Sequence, residues 1–455
     1  MKVIQLFSRS QNLCSFQNFR CTQKQYPMKT ILSSIFSLML ALASYAAVAD
    51  QLPNVILILS DDQGFTDYGF MGHKVVQTPS IDRMASQSLL YTRGYVMPVC
   101  SPTLACLLTG KLPHEHGITG NDLSPAGIAA EKAKGKNDRS PLSRQLLGNS
   151  LILPKVLTAA GYLTFQTGKL WNVTAPEAGF SEGMTGVEGR HGGEGLAIGR
   201  KTMTPLYDFI EKAQAEKKPF FIWHAPMMPH EPHNPPAEFL AHFQGKGLSD
   251  KVANYYAMIE WFDKTCGELD SFLAKKNLAD NTVIIYLADN GWDAEQGTRA
   301  KLSPYEMGIR TPMFVRWPAK VKPLRDDETL ASVIDFVPTV LTACGLKLPA
   351  DLPGLNLLDR PAMTARKSVF VEAYTHDVAD LGHPLNSLVA QVVISGWSKL
   401  IVPGTARPYK YNVSSPTAIE LFDLKTDSLE EHDLAAGRAD EVKRLQAIQK
   451  DRWSN

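Results

Sequence analysis

The strongest constraint on what this chain can fold into is a set of four short apolar runs, Val55–Leu59, Leu163–Gln166, Phe220–His224 and Val283–Leu287. Runs of this length that are largely apolar throughout, rather than at alternate positions, read as strands buried on both faces. Between them, Thr202–Glu216 and Lys251–Lys275 repeat apolar residues at three- and four-residue spacing, the pattern of helices lying on a core. Strand and helix in alternation predict an α/β fold, a large and mostly parallel sheet sandwiched by helices. Each run is also followed by polar residues: Asp61-Asp62 after the first, Lys169 after the second, His230 and His233 after the third, Asp289-Asn290 after the fourth. Ligands of open parallel sheets bind beyond the carboxyl ends of the strands, so position alone brings these four stretches to one site.

The rest of the chain divides around that unit. Residues 1–49 read as a leader whose functional part is a secretory signal at 28–49: Met28-Lys29, an apolar run from Ile31 to Ala43, and a small-residue exit at Ala47-Val48-Ala49. Residues 1–27 carry no apolar periodicity, which suits a start codon placed too far upstream. The apolar run is short for a membrane span, so the expected product is exported, periplasmic or secreted, without an integral membrane anchor. Residues 50–365 form the expected catalytic α/β domain, and residues 366–455 a smaller C-terminal α+β subdomain. Ser368–Ala373, Val389–Ser395 and Lys399–Val402 read there as an antiparallel sheet, with Gly396-Trp397 at a hairpin and a helix over Ala439–Gln449.

Composition removes some functions. With 47 Lys plus Arg against 46 Asp plus Glu in 455 residues, the net charge is +1, which offers no electrostatic footprint for nucleic acid. Of the six cysteines, Cys14 and Cys21 fall in the leader; Cys100, Cys106, Cys266 and Cys344 are too few for a disulfide scaffold in a chain this long.

Three carboxylates and an amide, Asp61, Asp62, Asp289 and Asn290, make an oxygen-rich set suited to a hard cation, Ca²⁺ with Mg²⁺ as the alternative. An Asp pair alone reads as a helix cap; a second pair past another buried strand turns the reading to a metal. Zinc fits less well, because Asp289-Asn290-Gly291 offers an amide where a zinc site would offer imidazole. In Val99–Gly110, Pro102 suits a first helical turn and Gly110 a terminus, which puts Cys100 at a helix N-terminus, where amides favour an anion. His114-Glu115-His116 reads as pocket or turn chemistry rather than a metal site, and Arg190–Gly195 as a polar loop. Asn172-Val173-Thr174 and Asn412-Val413-Ser414 match glycosylation acceptors, a frequent chance pattern.

Cys100-Ser101-Pro102-Thr103, with Leu107, Thr109 and Gly110, resembles the signature of the type I sulfatases of the alkaline phosphatase superfamily. The likeness runs along nearly all of the mature chain. It includes Asn54–Gly64, Gly161-Tyr162 through Lys169, Pro229–His233, Ala288–Gly291, Lys301, Glu306, Gly308–Pro312, Asp335–Thr339 and Glu420–Leu424. The resemblance implies that a maturation enzyme oxidises Cys100 to formylglycine, whose hydrated form is the nucleophile. It implies that Asp61, Asp62, Asp289 and Asn290 hold Ca²⁺ together with residue 100, and that Lys169 and Lys301 grip the sulfate. His230 would then protonate the departing alcohol, with His233 beside the substrate. The implied substrate is a sulfate ester, with a carbohydrate favoured over a small aryl compound, and phosphodiester or phosphonate hydrolysis is the alternative chemistry of the fold.

Two positions depart from the family. Leu104 stands where an arginine usually holds the formylglycine, and Trp171 where a histidine usually deprotonates it. Arg200 and Arg299 are candidates to replace the first, His233 and His191 the second. A branch without either replacement would be a sulfated-glycan-binding pseudoenzyme.

Overall fold

In the computed structural model, β1 (Asn54–Ser60) is buried along its whole length, and its alternate side chains feed two separate cores. The residues described are 52–133, 141–171, 173–185, 193–293, 295, 297–408, 411 and 413–453. The leader at 1–49 with its signal segment, both glycosylation asparagines, Arg190, His191 and Gly192 lie outside them.

Eight strands make the large sheet. They are β1, β2 (Leu89–Tyr95), β4 (Leu163–Gly168), β5 (Glu182–Gly183), β6 (Phe220–Ala225), β7 (Thr282–Ala288), β8 (Arg310–Arg316) and β9 (Leu324–Ser332), with β3 (Asp122–Leu123) set apart from them. Their order is β5-β4-β6-β1-β7-β8-β2-β9. Only β8 runs against its neighbours, so the sheet is mostly parallel, as the apolar runs predict. Ile56 and Ile58 pack under the helices Thr204–Glu216 and Asp250–Lys275, with Phe209, Ile210, Met258, Phe262 and Leu269. Val55, Leu57 and Leu59 face the other way, toward the helices Cys100–Thr109 and Phe336–Ala343. Each such buried side chain stabilises the fold by about 1.5–3 kcal/mol, which is why β1 runs from Val55 to Leu59 without a polar side chain.

β10 (Ser368–Tyr374), β12 (Leu388–Ser395), β13 (Ser398–Pro403) and β14 (Glu420–Asp423) form the small antiparallel sheet, in that order. β11 (Asp377–Val378) instead pairs with β3. Gly396 turns from β12 to β13 with φ +58, a conformation open to glycine at no steric cost. The last helix, Ala439–Trp453, runs past its expected end at Gln449 because Trp453 has a partner: its indole donates to Glu372, 2.5 Å away. Glu372 also receives the Tyr374 hydroxyl and His114, while Arg452 pairs with Glu115 at 3.0 Å. The His114-Glu115-His116 motif is therefore a turn that docks the C-terminal helix.

The chain passes from the large sheet to the small one between the helix Arg360–Ala365 and β10. Val369, Val371 and Ala373 nevertheless share a core with Leu57 and Leu287, and Leu52–Asn455 is one compact unit.

Candidate functional site

The site is assembled by strand register. Ser60 pairs with Ala288 at the ends of β1 and β7, so Asp61-Asp62 and Asp289-Asn290 leave the sheet side by side. The Asp62 amide donates to Asp289 Oδ1 at 3.1 Å and holds Asp62 in the left-handed region, φ +61. A non-glycine residue rarely adopts that conformation, and it persists only where the surroundings enforce it. β4 ends at Gly168, φ +74, where a Cβ would lie 2.0 Å from the Ala225 carbonyl. This close passage lets the Lys169 amide bond to that carbonyl at 2.7 Å and turns the lysine into the sheet end. β6 leads into a loop with cis peptides at Met228-Pro229 and Glu231-Pro232, bridged to Asp61 through Pro229, and this loop carries His230.

The side chains meet in a buried cluster. Lys169 Nζ lies 2.5 Å from Asp61 Oδ1 and 3.1 Å from Asp289 Oδ2. Lys301 Nζ reaches both oxygens of Asp62, at 2.6 and 2.7 Å, and Asn290 Nδ2 donates to Asp62 Oδ1 at 2.7 Å. Cys100 opens its helix with Sγ 3.2 Å from Asn290 Oδ1 and 4.0 Å from Asp62 Oδ1. His230 Nε2 stands 3.5 Å from Asp62 Oδ2, while its Nδ1 bonds to the Glu231 carbonyl at 2.7 Å.

Charge follows from this geometry. Burial pushes the Asp61 and Asp289 carboxyls up, Asp289 to about 6, against the pull of Lys169. Burial acts on Asp62 as well, but Lys301 and His230 overcome it and hold that carboxyl well below its usual range. Burial likewise disfavours charge on Lys169, and the Asp289 and Asp61 carboxylates outweigh it. Burial, reinforced by Asp289, pushes the Cys100 thiol far up, so as a thiol it is neutral and a poor nucleophile.

The donor set fits a divalent cation. Asp61, Asp62, Cys100 and Asp289 each offer a ligand atom, all within 4.8 Å of one another and all buried. Asp61 Oδ2 is buried without a hydrogen-bond partner, an arrangement that costs free energy unless something positive occupies it. Carboxylate and amide oxygens predominate, the preference of Ca²⁺ or Mg²⁺.

Above the cluster opens a cavity of about 560 Å³, lined by Asp62, Cys100, His230 and Lys301, by Trp171, Trp292 and Tyr411, and by Asn121, Asp122 and His376. His233, expected beside the substrate, is not on this lining; it is half-buried against the Tyr255 ring, 5.5 Å between centroids. Arg200 does not stand in for the missing arginine. Its guanidinium is occupied by the carbonyls of Met227, His230 and Pro232 and by Asn234. Arg299 bonds to the Glu430 carbonyl and lies over the Tyr305 ring. Leu104 is buried in the apolar core, one turn along the helix from Cys100. Trp171 lines the cavity with Lys169 Nζ 5.8 Å from its ring. Asn121, Asp122, His376 and Tyr411 were not anticipated; the one available signal was that His376 follows the end of an apolar strand, as the other site residues do.

The family model for sulfatases matches residues 53–346. N-acetylgalactosamine-6-sulfatase of Canis lupus familiaris is 30% identical over 369 residues, 70% of this chain and 67% of that one. The ulvan-active sulfatase of Formosa agariphila is 26% identical over 86% of this chain and 77% of its own. A solved structure in complex with its substrate D-glucosamine-2-N,6-O-disulfate shares the fold, with a TM-score of 0.70 at 20% identity over 89% of this chain and 98% of that one. With the family match spanning well over half its length, this chain belongs to the sulfatases, sulfuric ester hydrolases built on the alkaline phosphatase fold.

Proposed function

We propose that this chain is an exported sulfatase that removes sulfate from sulfated carbohydrate, using a formylglycine made from Cys100 and a bound Ca²⁺, with Mg²⁺ as the alternative ion. The observation that carries the reading is the buried set of Asp61, Asp62, Cys100 and Asp289 interleaved with Lys169 and Lys301, one carboxylate oxygen of which has no partner. A site that had abandoned hydrolysis would have no chemical need to keep these charges buried together. Carbohydrate is favoured because the relatives act on N-acetylgalactosamine-6-sulfate, by name, and on ulvan, and because the similar structure holds a sulfated glucosamine. Export rests on the signal-like run at 28–49.

Asp61, Asp62, Asp289 and Asn290 would hold the cation beside residue 100. When present, the cation supplies charge that polarises the sulfate, and the formylglycine supplies the attacking hydroxyl. The remaining work belongs to the chain's own side chains. Lys169 and Lys301 present ammonium groups where the ester's anionic oxygens enter, and a fixed cation in a water-poor site lowers the cost of bringing a nucleophile to an anion. The Nδ1 bond of His230 to the Glu231 carbonyl sets the ring so that Nε2 faces the cluster, from which a proton passes to the departing alcohol. Trp171, Trp292 and Tyr411 offer flat apolar faces to a sugar ring, in a cavity of a size ordinary for a small ligand. Residues 50–365 carry the chemistry, and residues 366–455 contribute His376, Tyr411 and Val413 to the cavity wall.

The test starts with protein purified from its native host and the mass of the Gly94–Lys111 tryptic peptide, which contains Cys100. The aldehyde form is expected. Free sulfate is then measured from 6-O- and N-sulfated glucosamine and from N-acetylgalactosamine 6-sulfate, alongside a phosphodiester and a phosphonate ester. Sulfate release that EDTA abolishes and Ca²⁺ restores is the expected result. An unmodified thiol, with sulfated sugar bound but not cleaved, would replace this reading with that of a glycan-binding protein, and phosphate release with that of a phosphoester hydrolase.

A further inference from the structure

Lys301 comes from residues 297–305, a succession of turns without helix or strand. An ammonium on a long flexible stem grips an anion only as well as its backbone is held. Within the segment, Leu302 has φ +72, a conformation that a leucine keeps only where the surroundings enforce it. Its amide bonds to the Pro98 carbonyl at 2.7 Å, and the Ser303 hydroxyl to the Ala300 carbonyl at 2.6 Å. Both ends are held by residues of the C-terminal region. Before Lys301, the Thr298 carbonyl accepts the Ser414 amide at 2.7 Å, the two hydroxyls meet at 2.6 Å, and Arg299 donates to the Glu430 carbonyl. After it, the Tyr305 hydroxyl donates to Glu420 at 2.8 Å and the Glu306 amide to Glu430 Oε2 at 2.5 Å. Glu430 thus holds residue 299 with its carbonyl and residue 306 with its carboxylate, with Lys301 between them.

Glu430 is itself constrained to do this. It is buried with φ +61, a bend that Asp427 supports by accepting the amides of Glu431 and His432 at 3.0 and 2.8 Å. Lys399 of β13, also buried, pairs with Glu430 at 2.7 Å and with the buried Glu306 at 3.1 Å. The far oxygen of Glu306 faces the Tyr95 hydroxyl at 3.3 Å and Arg310 at 3.6 Å. Burying such charges costs about as much as their attraction returns, so stability explains little of the arrangement. What it fixes is the seat of the turns from which Lys301 Nζ reaches Asp62 at 2.6 and 2.7 Å. We propose that Glu430, backed by Lys399, is a positioning residue for Lys301, so that the C-terminal region sets the ammonium that grips the sulfate; this rests on the sulfatase mechanism proposed above. The Glu420–Leu424 motif gains a role by the same route, since β14 brings Glu420 to Tyr305 and leads into the loop that carries Glu430.

The experiment compares wild type with Lys301→Ala, Glu430→Ala, Glu430→Gln and the double variant Lys301→Ala with Glu430→Ala. Each is loaded with Ca²⁺, shown by peptide mass to carry the aldehyde, and studied well below its thermal midpoint. Assays run at about pH 8, above the value of about 7 to which burial, against the pull of Lys399, lifts the Glu430 carboxyl. The readouts are the Kd of inorganic sulfate by calorimetry and kcat/KM on 4-nitrophenyl sulfate. Lys301→Ala is expected to weaken both by about 10²-fold, and Glu430→Ala by about 10-fold. Glu430→Gln keeps an acceptor for the Glu306 amide and should recover most of that loss. In the double variant, Glu430→Ala should cost no more than about twofold beyond Lys301→Ala, because two residues acting through one group are not additive. Arg299→Ala, which frees one end of the segment, takes the place of Glu430→Ala in the same comparison if that variant does not fold. A lower midpoint with sulfate affinity and kcat/KM unchanged would make the contact structural only and overturn the assignment, as would a full further loss in the double variant. A wild type that neither binds sulfate nor releases nitrophenol, or a Lys301→Ala that equals wild type, overturns the proposed mechanism itself, and the assignment with it.

Discussion

At the scale of single residues, Asp61 shows how a site can be stable and still unfinished. One of its oxygens is held by Lys169 at 2.5 Å, the other is buried without a partner, and burial works against its charge. A cation entering the cluster should therefore stabilise the whole fold by mass action. At about a hundred times its Kd, Ca²⁺ is expected to add about 2.7 kcal/mol, seen as a higher thermal midpoint that EDTA reverses. Asp61→Asn keeps the shape and removes the charge, so its midpoint should respond far less to Ca²⁺; an undiminished response would take Asp61 out of the ligand set. Asp61, Asp62, Lys169, Asp289 and Asn290 were legible in the sequence because each follows a buried apolar strand with no more than one residue between, and register does the rest. His233 lies off the cavity lining because its ring packs against Tyr255, a tertiary contact that no spacing argument anticipates. Asn121 was silent because it meets His376 beside two-residue strands, too short to leave a pattern.

Among the elements, the strands missed by sequence reading share a physical reason. β2 contains a buried arginine, whose guanidinium lies 3.7 Å from the Trp397 ring centre and bonds to the carbonyls of Glu328 and Gly396. β8 has arginines at both ends and a proline within it, and β9 is an edge strand with charged, exposed residues over its first half. Their stability comes from tertiary partners that composition does not reveal, whereas β1, β6 and β7 are apolar enough to announce themselves. The loop carrying His230 depends on a tertiary partner in the same way. Arg200 collects three backbone carbonyls and Asn234 from it, including the His230 carbonyl at 2.8 Å. Removing the guanidinium leaves those acceptors partly unsatisfied, so Arg200→Ala is expected to cost about 2–3 kcal/mol in denaturant unfolding and to lower kcat through His230. Arg200→Lys should rescue little, since a single ammonium lacks the planar fork. Full rescue by lysine would mean that charge alone, and not the multiple bonds, orders the loop.

For the whole molecule, part of the pH dependence of stability is carried by buried groups outside the metal-ligand set. Burial holds the His224 ring down to about 3, with Nδ1 against the Thr167 hydroxyl at 2.9 Å, and holds His116 to about 3 beside Cys106. Each is neutral in the fold but takes a proton on unfolding once the pH drops below the ordinary 6.5, so its contribution is whole above that value and drains as the pH falls toward 3. Asp67 and Asp263 act in the opposite sense. Burial lifts both to about 6 from an ordinary 3.8, so the folded state keeps protons that the unfolded chain gives up, and their contribution grows as the pH falls through that window. Protons taken up on unfolding by the two histidines and released by the raised carboxyls, Asp289 among them, oppose one another between about 4 and 6, where one proton alone is worth about 1.4 kcal/mol per pH unit. The net slope is therefore a poor test, and the difference between two proteins a good one. His224→Asn keeps a polar atom near Thr167 and cannot titrate. The stability of wild type relative to this variant, from urea unfolding at successive pH values, should fall by about 1.4 kcal/mol per unit between pH 6 and 4 and level off near neutrality. Parallel curves would mean that the ring takes up its proton without leaving the fold, and that the buried end of β6 admits water.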